Sequence, residues 1–303
     1  MQGYTLIDGR NIAFASLGNN TLSVGDLKVE AIFKFLRTIR AITVEYPSLQ
    51  PIVLWDGRSW RYKVYPEYKG NRKKTHTESG KKAEKVREEL AAQIPFIMGA
   101  LKHLGVVQMI ADNYEADDLA GYMVERHKDK KIFLISADRD WAQLVSKKVT
   151  YYDPIRKLVV TPKTIEDLLG VSSGLQLLEL KILKGDTSDN IPGVGGIGEK
   201  GALEFLQTYG SVKQFIDSYV PPDKKSKEKL PKKFTDLATV PDKMKAYRRN
   251  KRLMDLRHPK IPEPKNLRTM KGNLDRSRFK QFCKKLKFKS ILSEFDDWMN
   301  PFE

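Results

Sequence analysis

Residues 4–9 read Tyr-Thr-Leu-Ile-Asp-Gly, and residues 52–57 read Ile-Val-Leu-Trp-Asp-Gly. Each is a short apolar run closed by an acid and a glycine, the pattern of a buried strand ending at a polar edge. Between them, residues 27–46 place apolar side chains at Ala31, Phe33, Phe35, Leu36, Ile39 and Ile42, a helical period that stops before Pro47. The order is therefore strand, helix, strand. Residues 106–110 and 132–135 repeat it around a helix over 117–127, and Ser136, Asp138 and Asp140 close the second run. Residues 149–152 and 158–160 predict a hairpin. This alternation predicts an α/β fold with a doubly wound, mainly parallel sheet and helices on both faces. The core spans 1–170 and carries an irregular basic segment at about 58–90. After it, 171–303 predicts a helical region.

The 303 residues suffice for one large domain or two without disulfide staples, and the lone Cys283 can form no internal bridge. No secretory pattern opens the sequence and no apolar stretch approaches membrane length, so a soluble, reduced, cytoplasmic protein is expected. The net charge of +17 points to a polyanionic partner. Its distribution is more telling. Residues 58–87 hold 11 basic and 3 acidic side chains, and residues 221–289 hold 24 and 7, whereas the remainder is acidic. A uniformly basic coat is excluded. An acidic body inside a basic chain invites a cation site.

Ligands of open parallel sheets bind outside the carboxyl ends of the strands. Asp8, Asp56, Asp138 and Asp140 each follow a strand candidate. Glu115 and Asp118 stand at i, i+3 around Asp117, and Asp186 and Asp189 repeat the spacing, so nine carboxylates could meet. Singly, each is as well explained as a loop residue or helix cap, and Glu115 with Asp118 could simply answer a helix dipole. Together they could not all stay ionised without cations. An oxygen-only set without a His or Cys cluster favours Mg²⁺ or Mn²⁺ over zinc, and two such ions about 4 Å apart can cleave a phosphodiester.

Four glycines, Gly193, Gly195, Gly196 and Gly198, lie within six residues between two helical stretches, before Lys200. Glycine lets a backbone approach a phosphate, and the next helix offers free N–H groups. This predicts a duplex-backbone clamp over about 180–215. A Walker loop is excluded by the missing Gly-Lys-Ser/Thr ending. Over 58–87, Lys and Arg interleave with Trp60, Tyr62, Tyr65 and Tyr68, a mixture suited to single-stranded nucleic acid, although such a segment taken alone reads equally as a solvated charged loop.

These residues resemble the structure-specific 5′ nucleases: flap endonucleases, the 5′ nuclease domain of bacterial DNA polymerase I, and above all the bacteriophage-type flap endonucleases or ribonucleases H. The likeness covers about 4–215 and rests on Leu6-Ile7-Asp8-Gly9, Trp55-Asp56-Gly57, Pro66-Glu67-Tyr68-Lys69-Gly70-Asn71-Arg72, Glu115-Ala116-Asp117-Asp118, Ile135-Ser136-Ala137-Asp138-Arg139-Asp140-Trp141 and Gly185-Asp186-Thr187-Ser188-Asp189-Asn190-Ile191-Pro192-Gly193-Val194. It implies a PIN-like 5′ nuclease fold with a helical arch and a helix–three-turn–helix. It further implies that Asp8, Asp56, Glu115, Asp117 and Asp118 gather around a first metal, and Asp138, Asp140, Asp186 and Asp189 around a second. Asp8, Asp117 and Asp140 would be central to catalysis. Lys69 and Arg72 would contact the scissile phosphate and Tyr68 would stack on a base. Lys73, Lys81, Lys82 and Lys85 would follow the strand, and the glycine hairpin would grip duplex and hold K⁺. Arg139 departs from the glycine usual there.

The activity implied is a Mg²⁺-dependent 5′→3′ exonuclease and flap endonuclease, a monomer acting on 5′ flaps, nicks or RNA–DNA hybrids in replication. The alternatives are a PIN-type ribonuclease and a non-catalytic junction-binding protein. The acidic, aromatic tail at 293–302 could dock a sliding clamp or a single-strand-binding protein, or pack on its own domain.

Overall fold

The parallel core of the sheet is built from the runs read above. In the computed structural model, which describes residues 2–18, 22–73, 78–221 and 230–303 apart from the side chains of Arg72, Lys73 and Ser79, seven strands form one sheet. They are β1 (Gly3–Asp8), β2 (Leu49–Trp55), β3 (Val107–Ile110), β4 (Lys131–Ile135), β5 (Val149–Asp153), β6 (Leu158–Val160) and β7 (Arg268–Met270), in the order β7-β3-β2-β1-β4-β5-β6. The five inner strands are parallel, whereas β6 and β7 pair antiparallel at the two edges.

Period two along β1 explains the layering: Leu6 belongs to the apolar cluster on one face, with Leu54, Leu134 and Trp141, and Ile7 to that on the other, with Val53, Ile135 and Phe35. The second layer holds α1 (Gly9–Ala15), α2 (Glu30–Glu45) and α3 (Glu78–His103). The N-terminus of α2 has no side-chain cap of its own; Gln93 of α3 accepts from Ala31 N at 3.0 Å instead. The first layer holds α4 (Ala116–Arg126), α5 (Gly174–Lys184), α6 (Glu199–Tyr209), α7 (Val212–Ser218), α8 (Lys232–Thr239) and α9 (Pro241–Met254).

The chain beyond α9 departs from the helical region expected over 171–303. Residues 268–270 add β7 to the sheet, and α10 (Arg276–Lys285) packs into the second layer, where Phe279 stacks on Trp298 at 4.9 Å. The acidic, aromatic tail is part of that packing: Phe295, Trp298 and Met299 are buried, and Arg40 donates to the Trp298 carbonyl. Its aromatic residues therefore serve the protein's own core, which removes the ground for a clamp-docking tail. The arch expected over 58–90 crosses residues 74–77, which lie outside the described residues.

Candidate active site

Strand β1 sits between β2 and β4, so the chain leaves it in both directions and the crevice at the carboxyl ends opens beside Asp8. Asp8 closes β1, accepts from Asn11 N at 3.1 Å as the cap of α1, and accepts from Ser136 Oγ at 2.8 Å. Asp56 accepts from Ala116 N at 2.8 Å, tying the end of β2 to the start of α4. Asp117 accepts from Trp141 Nε1 at 2.6 Å, and Asp138 from Asp140 N at 2.9 Å. With Glu115 these four line a cavity of about 660 Å³, whose walls include Arg10, Phe14, Tyr62, Lys69 and Arg87.

The basin is short of positive charge. Burial and then Asp56 push the Asp8 carboxyl up to about 8; burial and then Asp140 push Asp138 up to about 7. Asp56 is raised chiefly by burial, and Asp117 is raised by burial together with Asp138 and Asp8. Glu115 behaves oppositely: burial raises it, but Arg61 and Lys69 outweigh burial and hold it low. Among the described residues, none of Asp8, Asp56, Asp117 and Asp138 has a basic side chain in ion-pair contact. Nor do three acidic side chains close into a ready cation cage among the described residues. The basin is a shared negative field lined by hard oxygen donors, chemistry that suits a divalent cation.

Asp140 and Asp186 stand apart from it, along a second cavity of about 510 Å³. Lys181 of α5 is ion-paired with Asp140 and lies 3.0 Å from Asp186, and with Ser188 it outweighs burial to lower Asp186 to about 2. Asp189 accepts from Tyr68 OH at 3.0 Å and lies 4.0 Å from Lys69. The segments 66–72 and 185–190 are fastened together: Lys69 N donates to the Asp189 carbonyl, Asn71 to the Thr187 carbonyl and Asn190 to the Glu67 carbonyl. Lys181 was not singled out in the sequence, where it is one more cation in the last turn of a helix.

Two expected site residues are used otherwise. Asp118 turns into the core, where it pairs with Arg61 at 2.9 Å, accepts from Trp60 Nε1 at 3.2 Å and closes a capping box with Glu115. Tyr68 cannot stack on a base, because it is 2% exposed and its hydroxyl donates between Glu115 and Asp189. Tyr62, 37% exposed beside it and edge-on to its ring, is the aromatic face the cavity presents. Lys69 keeps its place in the cleft, ion-paired with Glu115. Arg72 and Lys73 lie in a one-turn helix whose side chains there are outside the described structure.

At the hairpin the glycines divide by role. A Cβ on Gly193 would stand 2.4 Å from the Lys184 carbonyl, so that glycine is needed for packing against α5. Gly195 and Gly196 adopt left-handed φ of 51° and 82°. Gly196 and Gly198 face open space, and α6 begins after Gly198 with no side-chain cap and with Lys200 exposed. The basic segment braces this loop. Lys243 donates to the Gly195 carbonyl at 3.1 Å, a cation already on the hairpin where K⁺ was expected, and buried Asn250 donates to the Ile182 and Pro192 carbonyls. Lys81, Lys82 and Lys85 are exposed on the first turns of α3.

Family comparison rests on the whole of this framework. The 5′-3′ exonuclease N-terminal resolvase-like domain matches residues 3–170, and the 5′-3′ exonuclease C-terminal SAM fold matches residues 173–272. The chain belongs to the 5′-3′ exonuclease family. The match runs past residue 215, where the recognisable motifs stop, and takes in the basic helices that brace the hairpin. DNA polymerase I of Bacillus caldotenax is 31% identical over 81% of this chain, but the chain spans only 28% of that protein's length. A 5′-3′ exonuclease of Aquifex aeolicus is 29% identical over 98% of this chain and 96% of its own. In fold, the chain resembles T5 5′-exonuclease with bound divalent metal ions (zinc): TM-score 0.69, 24% identity, 99% of this chain and 100% of that one.

Proposed function

We propose that this 5′-3′ exonuclease family member is a divalent-cation-dependent 5′→3′ exonuclease and flap endonuclease acting on DNA with a 5′ flap or nick, or on an RNA–DNA hybrid. The observation that carries the reading is the basin of Asp8, Asp56, Asp117 and Asp138, negative and without ion-pair partners among the described residues, at the carboxyl edge of a basic protein. Mg²⁺ or Mn²⁺ bound there would supply charge neutralisation for the phosphate and a readily ionised water. Asp8, Asp56, Glu115, Asp117 and Asp138 are the residues to hold one ion, and Asp140, Asp186 and Asp189 to serve a second. Lys69 is within reach of the same cleft to bind the scissile phosphate once its carboxylate partners turn to a cation. The hairpin and Lys200 suit the duplex, and the exposed face of α3 suits the displaced strand. Among the described residues no helix is long and apolar enough to cross a membrane.

Incubation with Mg²⁺ and 5′-labelled flap, nicked, hybrid and single-stranded substrates tests the proposal. Cleavage at the flap junction and at the 5′ end of a nick is expected. Cleavage of single-stranded RNA alone would support a PIN-type ribonuclease, and tight flap binding with no product a junction-binding protein.

Two further outcomes are expected. Neutralising Lys81, Lys82 and Lys85 together should weaken flap binding and reduce the salt slope of log affinity by up to about 2–3 units, at about 0.7–0.9 per phosphate contact. An unchanged slope in filter-binding titrations would show that this face of α3 does not meet the strand.

The second concerns pH. Folded Asp8 and Asp138 hold protons to about 8 and about 7, against 3.8 in the unfolded chain, so between those limits the folded state binds more protons and stability falls as pH rises. The lowered Glu115 and Asp186 act only below about pH 4.5 and do not oppose this. Melting in EDTA should therefore occur several degrees lower at pH 8 than at pH 6, and Mg²⁺ should close most of the gap. Equal melting temperatures in EDTA would count against a crowded anionic basin.

A further inference from the structure

The two acidic groups of the cleft differ in one respect that the proposed reaction leaves unexplained. In the deep basin, Asp8, Asp56, Asp117 and Asp138 have no ion-pair partner among the described residues. In the outer group a cation is already in place. Lys181 reaches from the last turn of α5 with its ammonium ion-paired to Asp140 and 3.0 Å from Asp186, bridging a carboxylate of the 3-10 helix after β4 and a carboxylate of the two-residue strand after α5. The ammonium thus sits between the two carboxylates, on a side chain only 15% exposed.

We infer that Lys181 is the resident cation of the outer carboxylates, a tethered ammonium that a second divalent ion must displace. The inference rests on the proposed reading of Asp140 and Asp186 as the second cation group. Two consequences follow from Coulomb's law. The deep basin loads first, because none of its four aspartates is ion-paired among the described residues, and the outer group loads at higher concentration, because the ion there competes with a charge that cannot diffuse away. Displacement also has somewhere to send the ammonium. The cavity of about 510 Å³ beside Lys181 has a wall of mixed charge, with Arg139, Lys184 paired to Glu199, and Gly198 at the start of α6, and leaves room for the freed ammonium. Exchange of cations at the outer group would thus free the Lys181 ammonium to turn into that cavity. Arg139 lines the same cavity.

Calorimetric titration of the full chain with Mn²⁺, without DNA, tests this on binding alone. The wild type should take up one ion tightly and a second weakly. Lys181→Met keeps the aliphatic stem and removes the charge, and should bind the second ion about tenfold more tightly with the first changed far less; Lys181→Arg should stay near the wild type. A weaker or unchanged second ion in a folded Lys181→Met protein overturns the inference, since the lysine would then order the carboxylates without competing for them. Asp140→Asn separates this failure from that of the underlying reading: if it leaves both Mn²⁺ affinities intact, Asp140 serves no ion. If Lys181→Met does not fold, amine modification of the wild type read by mass spectrometry replaces it. Labelling of Lys181 should rise severalfold as Mn²⁺ passes from one equivalent to saturation, and constant labelling refutes the exchange.

Discussion

Asp117→Asn is expected to cut a flap substrate at least about a thousandfold more slowly while melting at a higher temperature than the wild type in the absence of metal. The two effects have one cause. Asp117 faces Asp138 and Asp8, and burial with their charges already raises its carboxyl well above the ordinary range. Asparagine keeps the shape and still accepts from Trp141 Nε1, so the fold loses no contact and sheds a repulsion. The same charge is what a divalent cation needs. Losing a few kcal/mol of transition-state stabilisation, at about 1.4 kcal/mol per factor of ten, gives the thousandfold loss. Affinity for flap DNA without metal should hold or rise, because one negative charge facing phosphate has gone. If Asp117 merely answered the dipole of α4, the substitution would cost up to about 1 kcal/mol of stability and leave cleavage untouched. Single-turnover cleavage and melting curves on one preparation separate the two.

That basin was legible because its parts are local. Asp8 and Asp56 each close an apolar run, and the sheet then brings the strand ends together whatever the rest of the chain does. The parallel order was legible for the same reason, since alternate burial of residues such as Leu6 and Ile7 needs only a strand covered on both faces. What escaped the sequence depends on long-range approach. Arg61 donates to the carbonyl of Leu253 across 192 positions, and no spacing announces such a bond. Lys181 stands in the last turn of an apolar helix like any solvated cation, and only the fold sets it between Asp140 and Asp186. The strand β7 is three residues long and follows a proline-rich stretch, so the edge it completes is visible only from β3. For Tyr68 the neighbours mislead: aromatics among Lys and Arg suggest base stacking, yet its ring is buried against Arg61 and Lys69 and its hydroxyl is spent on two carboxylates.

Arg61→Met should destabilise the protein by about 3–5 kcal/mol, the cost of stranding a buried carboxylate. Arg61 is 3% exposed and its guanidinium is surrounded by acceptors: Asp118 at 2.9 Å, Glu115 at 3.2 Å, Ser59, and the Leu253 carbonyl at 2.7 Å. Through these it fastens the basic segment, the start of α4 and the end of α9 to one another. Removing it leaves Asp118, whose side chain is fully buried, with only Trp60 and the Glu115 N–H among the described residues to offset its charge. Asp118→Asn on its own should cost less, since the amide oxygen can still accept. The two together should cost less than the sum of the singles, by about 2 kcal/mol or more, because the second change removes the charge that the first strands. Denaturant unfolding of the four proteins yields that coupling. The same variants settle whether Asp118 serves the cation, as the family resemblance implies, or the fold, as its geometry does. A metal ligand lost at Asp118 would lower Mn²⁺ affinity and cleavage in Asp118→Asn with little change in stability. A structural residue would leave Mn²⁺ affinity near the wild type, and the damage from Arg61→Met would reach the cleft only through Glu115, whose carboxylate Arg61 helps to hold beside Lys69.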